Sequence, residues 1–202
     1  DAEDDALETA RLFSRLDYPV LSGTKELLAI SEKGKYAINE GILRSTGGLN
    51  VPETKYREHI VEDQIPYSYA KGSTLSGGRT FLVGPLARVN LNFNSLSDGA
   101  REIAGEIGFA PPRHNPFDSH VARALEVVHS IEESRELMEG LPLVEENRAH
   151  AIEPGKSRAG SALTEAPRGS LYHSYRFDMN LLVEYSDIVT PTDHNVRNIE
   201  KD

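Results

Sequence analysis

The segment from Asn115 to about Glu139 constrains the fold more than any other part of the chain. Asn115 is a good helix cap, Pro116 suits a first helical turn, and Phe117, Val121, Ala124, Val128 and Ile131 recur on one side at helical spacing. Glu132, Glu133, Arg135 and Glu136 charge the other side of its second half. The pattern predicts a long amphipathic helix with Val121, Ala124 and Val128 inside and Glu132 and Glu136 outside. An apolar stripe of that length has to be buried against other elements.

Those elements can be read in turn. Residues 5–16 form a helix: Ala6, Ala10 and Phe13 share a face, acids crowd the N-terminal end, and Pro19 stops it. Glu26–Ile30 and Tyr36–Leu43 flank the polar turn Glu32-Lys33-Gly34-Lys35 and read as a hairpin. Glu53–Asp63 is an ambiguous helix, and residues 71–79, rich in Gly and Ser, form a loop. Thr80–Val83 is a short apolar segment, either a strand or buried extended chain. Ser97 caps a helix that places Ala100, Ile103, Ala104 and Ile107 on one face before Gly108. Residues 140–164, with Pro142, Pro154 and many small residues, read as a long loop. Ser170–Phe177 and Leu181–Val189 pair as strands across Asp178-Met179-Asn180. There is no internal repeat. Helices and hairpins are segregated rather than alternating, which gives an α+β fold.

Composition excludes several functions. With 32 acidic and 22 basic residues the net charge is −10, which disfavours nucleic acid as a partner. No apolar run is long enough to span a membrane. The chain has no cysteine, so it forms neither disulfides nor thiolate metal sites. Among its seven histidines there is no H-E-x-x-H, and no G-x-S-x-G nucleophile motif is present. The histidines therefore read as solvated or hydrogen-bonded residues, and no metal ligand is assigned.

Two motifs stand out: Glu165-Ala166-Pro167-Arg168-Gly169, and further on Thr190-Pro191-Thr192-Asp193-His194-Asn195. Taken alone, Arg168 reads as a surface ion-pair residue and Thr190 and Thr192 as turn residues beside Pro191. Together the motifs resemble the large subunit of nickel–iron hydrogenases, in particular the cytoplasmic, cofactor-coupled branch that includes sulfhydrogenase-type enzymes. Weaker matches are Glu58–Gln64, Val83–Asn90, Asn115-Pro116-Phe117 and Glu126–His129. The resemblance covers most of the chain and implies a partial domain, residues 1–202, of such a subunit.

It also implies site roles. Pro167 would lie against the diatomic cyanide and carbonyl ligands of the iron. Arg168, the expected catalytic residue, would poise its guanidinium over the gap between nickel and iron. Pro191 would press on the cluster, and the Thr192 hydroxyl would hydrogen-bond a cyanide. In that family two C-x-x-C motifs hold the nickel, and neither occurs here. The expectation is therefore a central-to-C-terminal fragment that contains no cofactor and is inactive alone. Its parent would oxidise and form H2 with an iron–sulfur small subunit and NAD(P)-linked diaphorase subunits. Two alternatives are a quinone-site subunit of a respiratory NADH dehydrogenase-like complex and a cysteine-free scaffold paralogue. The first shares a similar Glu-Ala-Pro-Arg-Gly motif but is not expected to carry Thr-Pro-Thr-x-x-Asn.

Overall fold

A computed structural model describes residues 1–21, 25–142 and 154–202. The long apolar stripe is its organising element. A 3-10 turn over Pro116–Asp118, whose Phe117 amide donates to the Asn115 side chain, leads into a helix at Ser119–Gly140. Val121, Ala124, Leu125 and Val128 on this helix are buried. Each such side chain contributes on the order of 1.5–3 kcal/mol when removed from water, less for the alanine.

In chain order the helices are α1 (Ala2–Ser14), α2 (Tyr56–His59), α3 (Pro85–Asn92), α4 (Asp98–Glu106), α5 (Ser119–Gly140) and α6 (Pro191–Ile199). The strands are β1 (Leu28–Ser31), β2 (Ile42–Ser45), β3 (Asn50–Pro52), β4 (Ile60–Gln64), β5 (Lys71–Leu75), β6 (Arg158–Ala166), β7 (Gly169–Phe177) and β8 (Val183–Val189). They form three antiparallel sheets, β1-β2-β3, β4-β5 and β6-β7-β8. The segregation of helices from antiparallel strands is that of an α+β fold.

Two apolar cores meet at β1. Leu27 and Ala29 face a helical core with Ala6 and Ala10 of α1, Leu86 and Val89 of α3, and Leu125 and Val128 of α5. Leu28 and Ile30 point the other way, into a core with Tyr56, Phe81, Val83, Leu163, Tyr172 and Val189. Successive residues of a strand point to opposite faces, so a strand buried on both sides serves both cores. The segment ahead of α3 runs beside β1: Leu28 N donates to Leu82 O at 2.9 Å and Leu82 N to Glu26 O at 2.8 Å.

Several readings of the sequence are corrected. The first helix starts earlier than residue 5, because the Asp1 carboxylate accepts from Glu3 N and Asp4 N in a capping box. The first hairpin forms, but its second strand is Ile42–Ser45, later than expected. Residues 53–63 divide into a 3-10 turn, the short α2 and the start of β4.

Lys71–Leu75 is a strand and not part of a loop. Gly72 is needed there because a Cβ would lie 2.9 Å from Arg197 Nε and 3.0 Å from Ile65 Cδ1. The long loop at 140–164 is also overturned in part. Gly140 ends α5, residues 143–153 lie outside the described residues, and residues 158–164 belong to β6. The small residues of β6 look loop-like in isolation. In the sheet Gly160 and Ala162 stand opposite Tyr175 and His173, whose larger side chains share the same face.

Candidate active-site cavity

The first motif forms a tight hairpin. Ala166 pairs with Gly169, leaving Pro167 and Arg168 as a two-residue turn between β6 and β7. That turn rests on backbone. Gly169 has φ +131°, and a Cβ on it would lie 2.4 Å from Val83 Cγ2 and 2.8 Å from Gly84 N. Gly84, at φ +113°, would place a Cβ 2.8 Å from Arg168 O. Only glycine at both positions permits this approach and these dihedrals.

Beneath the turn lies a buried ionic cluster. Arg88 of α3, 3% exposed, donates to both Glu126 carboxylate oxygens at 2.5 and 2.8 Å and to Glu165 Oε2 at 3.1 Å. It also donates to the carbonyls of Ala166 at 2.8 Å and Pro167 at 3.4 Å. Glu165 Oε1 accepts from Ile30 N at 3.0 Å and from Ser170 Oγ at 2.7 Å. Tyr36 OH donates to Glu126 Oε1 at 2.6 Å. Arg88 therefore ties α3, α5 and the hairpin turn together. Burial pushes the Glu165 carboxyl up, partly offset by Arg88 and by the Ser170 and Ile30 donors. Burial also opposes the Arg88 charge, but Glu126 and then Glu165 outweigh it and raise its pKa.

The second motif starts α6. Thr190 and Asp193 make a reciprocal capping box, and Pro191 takes the first helical position. Asn195 reaches back to the segment ahead of α3. Its Oδ1 accepts from Val83 N at 2.8 Å and its Nδ2 donates to Val83 O at 3.3 Å. Asn198 Nδ2 donates to Phe81 O. His194 is fully buried against Phe81 and Tyr56, with its Nε2 2.5 Å from Tyr56 OH. Burial lowers its pKa from 6.5 to about 4, so the imidazole is neutral at pH 7.

Because the hairpin turn and α6 are both fastened to residues 81–84, the two motifs converge. Arg168, Pro191 and Thr192 line one cavity of about 260 Å³, together with Arg123 and Ser119 of α5. Pro167 is exposed on the turn and is not part of that lining. The cavity wall holds two guanidiniums and two hydroxyls and no carboxylate, a set suited to an anion. A larger cavity, about 660 Å³, lies elsewhere between the β1–β2 turn and the end of α3, and neither motif contributes to it.

Sequence reasoning missed Arg88, Glu126, Arg123 and Asn195 as parts of this arrangement. Their signal was faint: each lies in or next to a matched segment, but nothing local shows that these segments meet.

Known proteins resemble this chain over most of its length. The family model described as nickel-dependent hydrogenase matches residues 23–201. Sulfhydrogenase 1 subunit alpha of Pyrococcus furiosus is 33% identical over 200 residues, 96% of this chain and 45% of that protein. The NAD-reducing hydrogenase HoxS subunit beta of Cupriavidus necator is 30% identical over 148 residues, 69% of this chain and 30% of that protein. A crystal structure of an NAD+-reducing [NiFe]-hydrogenase in the H2-reduced state superimposes with a TM-score of 0.70. The identity there is 21%, over 98% of this chain and 48% of that one. The chain thus spans about half the length of the first two of these relatives or less.

Proposed function

From the premise that this chain belongs to the nickel-dependent hydrogenase family, we propose that it is a central-to-C-terminal part of a nickel–iron hydrogenase large subunit. The whole enzyme would interconvert H2 with protons and electrons. The observation that carries this reading is the convergence of the two motifs, through Arg168, Pro191 and Thr192, on one cavity.

The donor set defines this chain's share of the work. Nickel–iron centres need soft thiolate ligands, and the chain has no cysteine. Among the described residues no three His, Cys, Asp or Glu side chains cluster to hold a metal. In this reading the thiolates that hold the metals come from outside these residues, and this chain supplies surroundings of the centre. What it offers fits the anionic cyanide ligands of the iron, alongside a carbonyl. When bound, the nickel–iron group supplies the redox chemistry of H2.

Arg168 presents a permanently charged fork of donors from a turn that cannot sag, because backbone lies directly under it. Thr192 offers a hydroxyl donor at a helix start, where the dipole also favours negative charge. Pro191 forms a stiff apolar wall and limits water. Pro167 fixes φ at the turn, and its carbonyl is held by Arg88. Donors fixed before the reaction cost little reorganisation when charge develops, which is where such sites gain most.

The partners in this reading are an iron–sulfur small subunit and NAD(P)-linked diaphorase subunits, in the cytoplasm. The NAD-reducing relative supports the diaphorase link. Among the described residues no helix is long and apolar enough to cross a membrane.

Arg168→Lys in the parent enzyme tests the reading. It keeps the charge and removes the planar fork. Hydrogen uptake per bound nickel should fall by orders of magnitude with metal content and subunit assembly unchanged. Turnover within about twofold of the parent, a barrier change under ~0.5 kcal/mol, would remove Arg168 from the site.

A further inference from the structure

Two peptide planes flank Arg168, and both are held. The Arg168 carbonyl lies against Gly84, where a Cβ would come within 2.8 Å of its oxygen. On the other side, the Pro167 carbonyl belongs to the peptide that ends on the Arg168 nitrogen, and it accepts from Arg88 Nη2 at 3.4 Å. The Ala166 carbonyl accepts from Arg88 Nη1 at 2.8 Å. A guanidinium has five N–H groups. Here five acceptor atoms meet them: these two carbonyls, both Glu126 oxygens and Glu165 Oε2. The whole fork is committed, and Glu126 takes two of its bonds, at 2.5 and 2.8 Å. Glu126 is held in turn by Tyr36 OH at 2.6 Å, and the Tyr36 ring packs edge-on against His129 with centroids 4.8 Å apart. The line from Tyr36 through Glu126 and Arg88 ends on the peptide that carries Arg168.

Stability alone is a poor account of such a cluster. Apolar side chains often replace buried ion pairs at little cost or with a gain. What a two-pronged charged contact adds is direction, because it fixes the plane of the guanidinium. We propose that Glu126 is a positioning residue for Arg168, acting through Arg88, with Tyr36 keeping Glu126 in place. Contact with Gly84 sets the height of the turn, and the Arg88 plane sets the tilt of the peptide before Arg168. The consequence for turnover rests on the hydrogenase reading; the hold on the turn does not.

The hold on the turn is measured in the chain itself. Nitrogen-15 relaxation reports order parameters for the Arg168 and Gly169 amides. They are expected in the rigid range, about 0.85, and Glu126→Gln should lower them toward about 0.6, since it turns one acceptor oxygen into a donor facing the guanidinium. Tyr36→Phe keeps the ring and should lower them less; it carries the test if Glu126→Gln does not fold. Val128→Ala, at a buried position of the same helix, controls for a general loss of stability and should leave them unchanged.

Turnover is measured in the parent enzyme. Glu126→Gln should lower kcat for hydrogen uptake, per bound nickel, by about tenfold to a hundredfold with KM for H2 unchanged, as a displaced catalytic group would. Tyr36→Phe should lower it less, and Val128→Ala should leave it alone. Turn amides as rigid in the folded variants as in the unchanged chain overturn the inference. So does uptake in Glu126→Gln that stays within about twofold of the parent, a barrier change under ~0.5 kcal/mol, or a fall that Val128→Ala matches. A parent that carries no nickel removes the hydrogenase reading alone, and the relaxation measurement then decides whether Glu126 orders the turn.

Discussion

Lowering the pH should unfold this chain through one buried imidazole. His194 is fully buried, its Nε2 meets Tyr56 OH, and burial holds its pKa near 4 against an ordinary 6.5. Above pH 6.5 it is neutral both folded and unfolded, and its contribution to stability is complete. Between 6.5 and about 4 the unfolded chain takes up a proton that the folded chain refuses, so stability falls as pH falls. Below about 4 both states are charged and the loss is complete. At about 1.4 kcal/mol per pH unit, that interval amounts to roughly 3 kcal/mol, a large part of a typical domain's stability.

Other groups titrate in the same range. Burial also lowers His129, which adds to the effect. Glu165, pushed up by burial, acts in the opposite sense, since its folded form favours the proton and loses stability as pH rises through the carboxylate range. The informative quantity is therefore a difference. Urea unfolding of the parent chain and of His194→Gln, at steps from pH 7.5 to 4, isolates the histidine. The parent should lose about 3 kcal/mol more than the variant across the range. Parallel curves for the two proteins would show that His194 is not a buried neutral imidazole.

Three further outcomes follow from the packing. Gly169→Ala should cost about 2–4 kcal/mol, combining left-handed backbone strain with a clash against Val83 and Gly84. Gly78→Ala, also at positive φ but with nothing within 4 Å, should cost only about 1 kcal/mol, and equal losses in chemical denaturation would refute the close-contact argument. Arg88→Leu should cost about 3–5 kcal/mol, because Glu126 and Glu165 are left buried without their cation. Adding Glu126→Leu should recover part of that loss, and a strictly additive pair would mean that the cluster is not coupled. Val128→Asp puts an unpaired carboxylate at a position with no exposure and should cost about 3 kcal/mol or more. A melting temperature equal to the parent's would mean the inward face of α5 is misassigned.

What could be read from the sequence was whatever is local. The stripe on α5 gave both the helix and its buried face, since 3.6-residue periodicity needs no knowledge of partners. Ser97 was recognised as the cap position of α4, but its hydroxyl does not make the bond. His129 Nδ1 accepts from Ser97 N at 3.1 Å and Glu132 Oε2 accepts from Gly99 N at 3.2 Å, so α5 caps α4 from outside. Glu132 is half-buried for that reason, against the expectation of exposure, whereas Glu136 is exposed.

Capping by a neighbouring helix leaves no trace in a local window, and neither does the packing over Gly72 that makes β5 a strand. α6 is different. Its Thr190 and Asp193 capping box was available in the sequence but was hidden by reading Thr190 and Thr192 as turn residues beside Pro191. At the site, the resemblance supplied Arg168, Pro191 and Thr192. The cluster around Arg88 and the second guanidinium on α5 became visible only when five segments were brought together.

The turn that carries Arg168 has a practical consequence. Its height is set by backbone lying against the backbone of Gly84, not by the side chain at position 168, which is exposed. Different side chains can therefore be displayed there without repacking what lies beneath. Because the chain contains no cysteine, Arg168→Cys would install a unique thiol at the cavity mouth. A spin label or fluorophore attached to it would report on whatever docks over that opening, with no background from any other site in the chain.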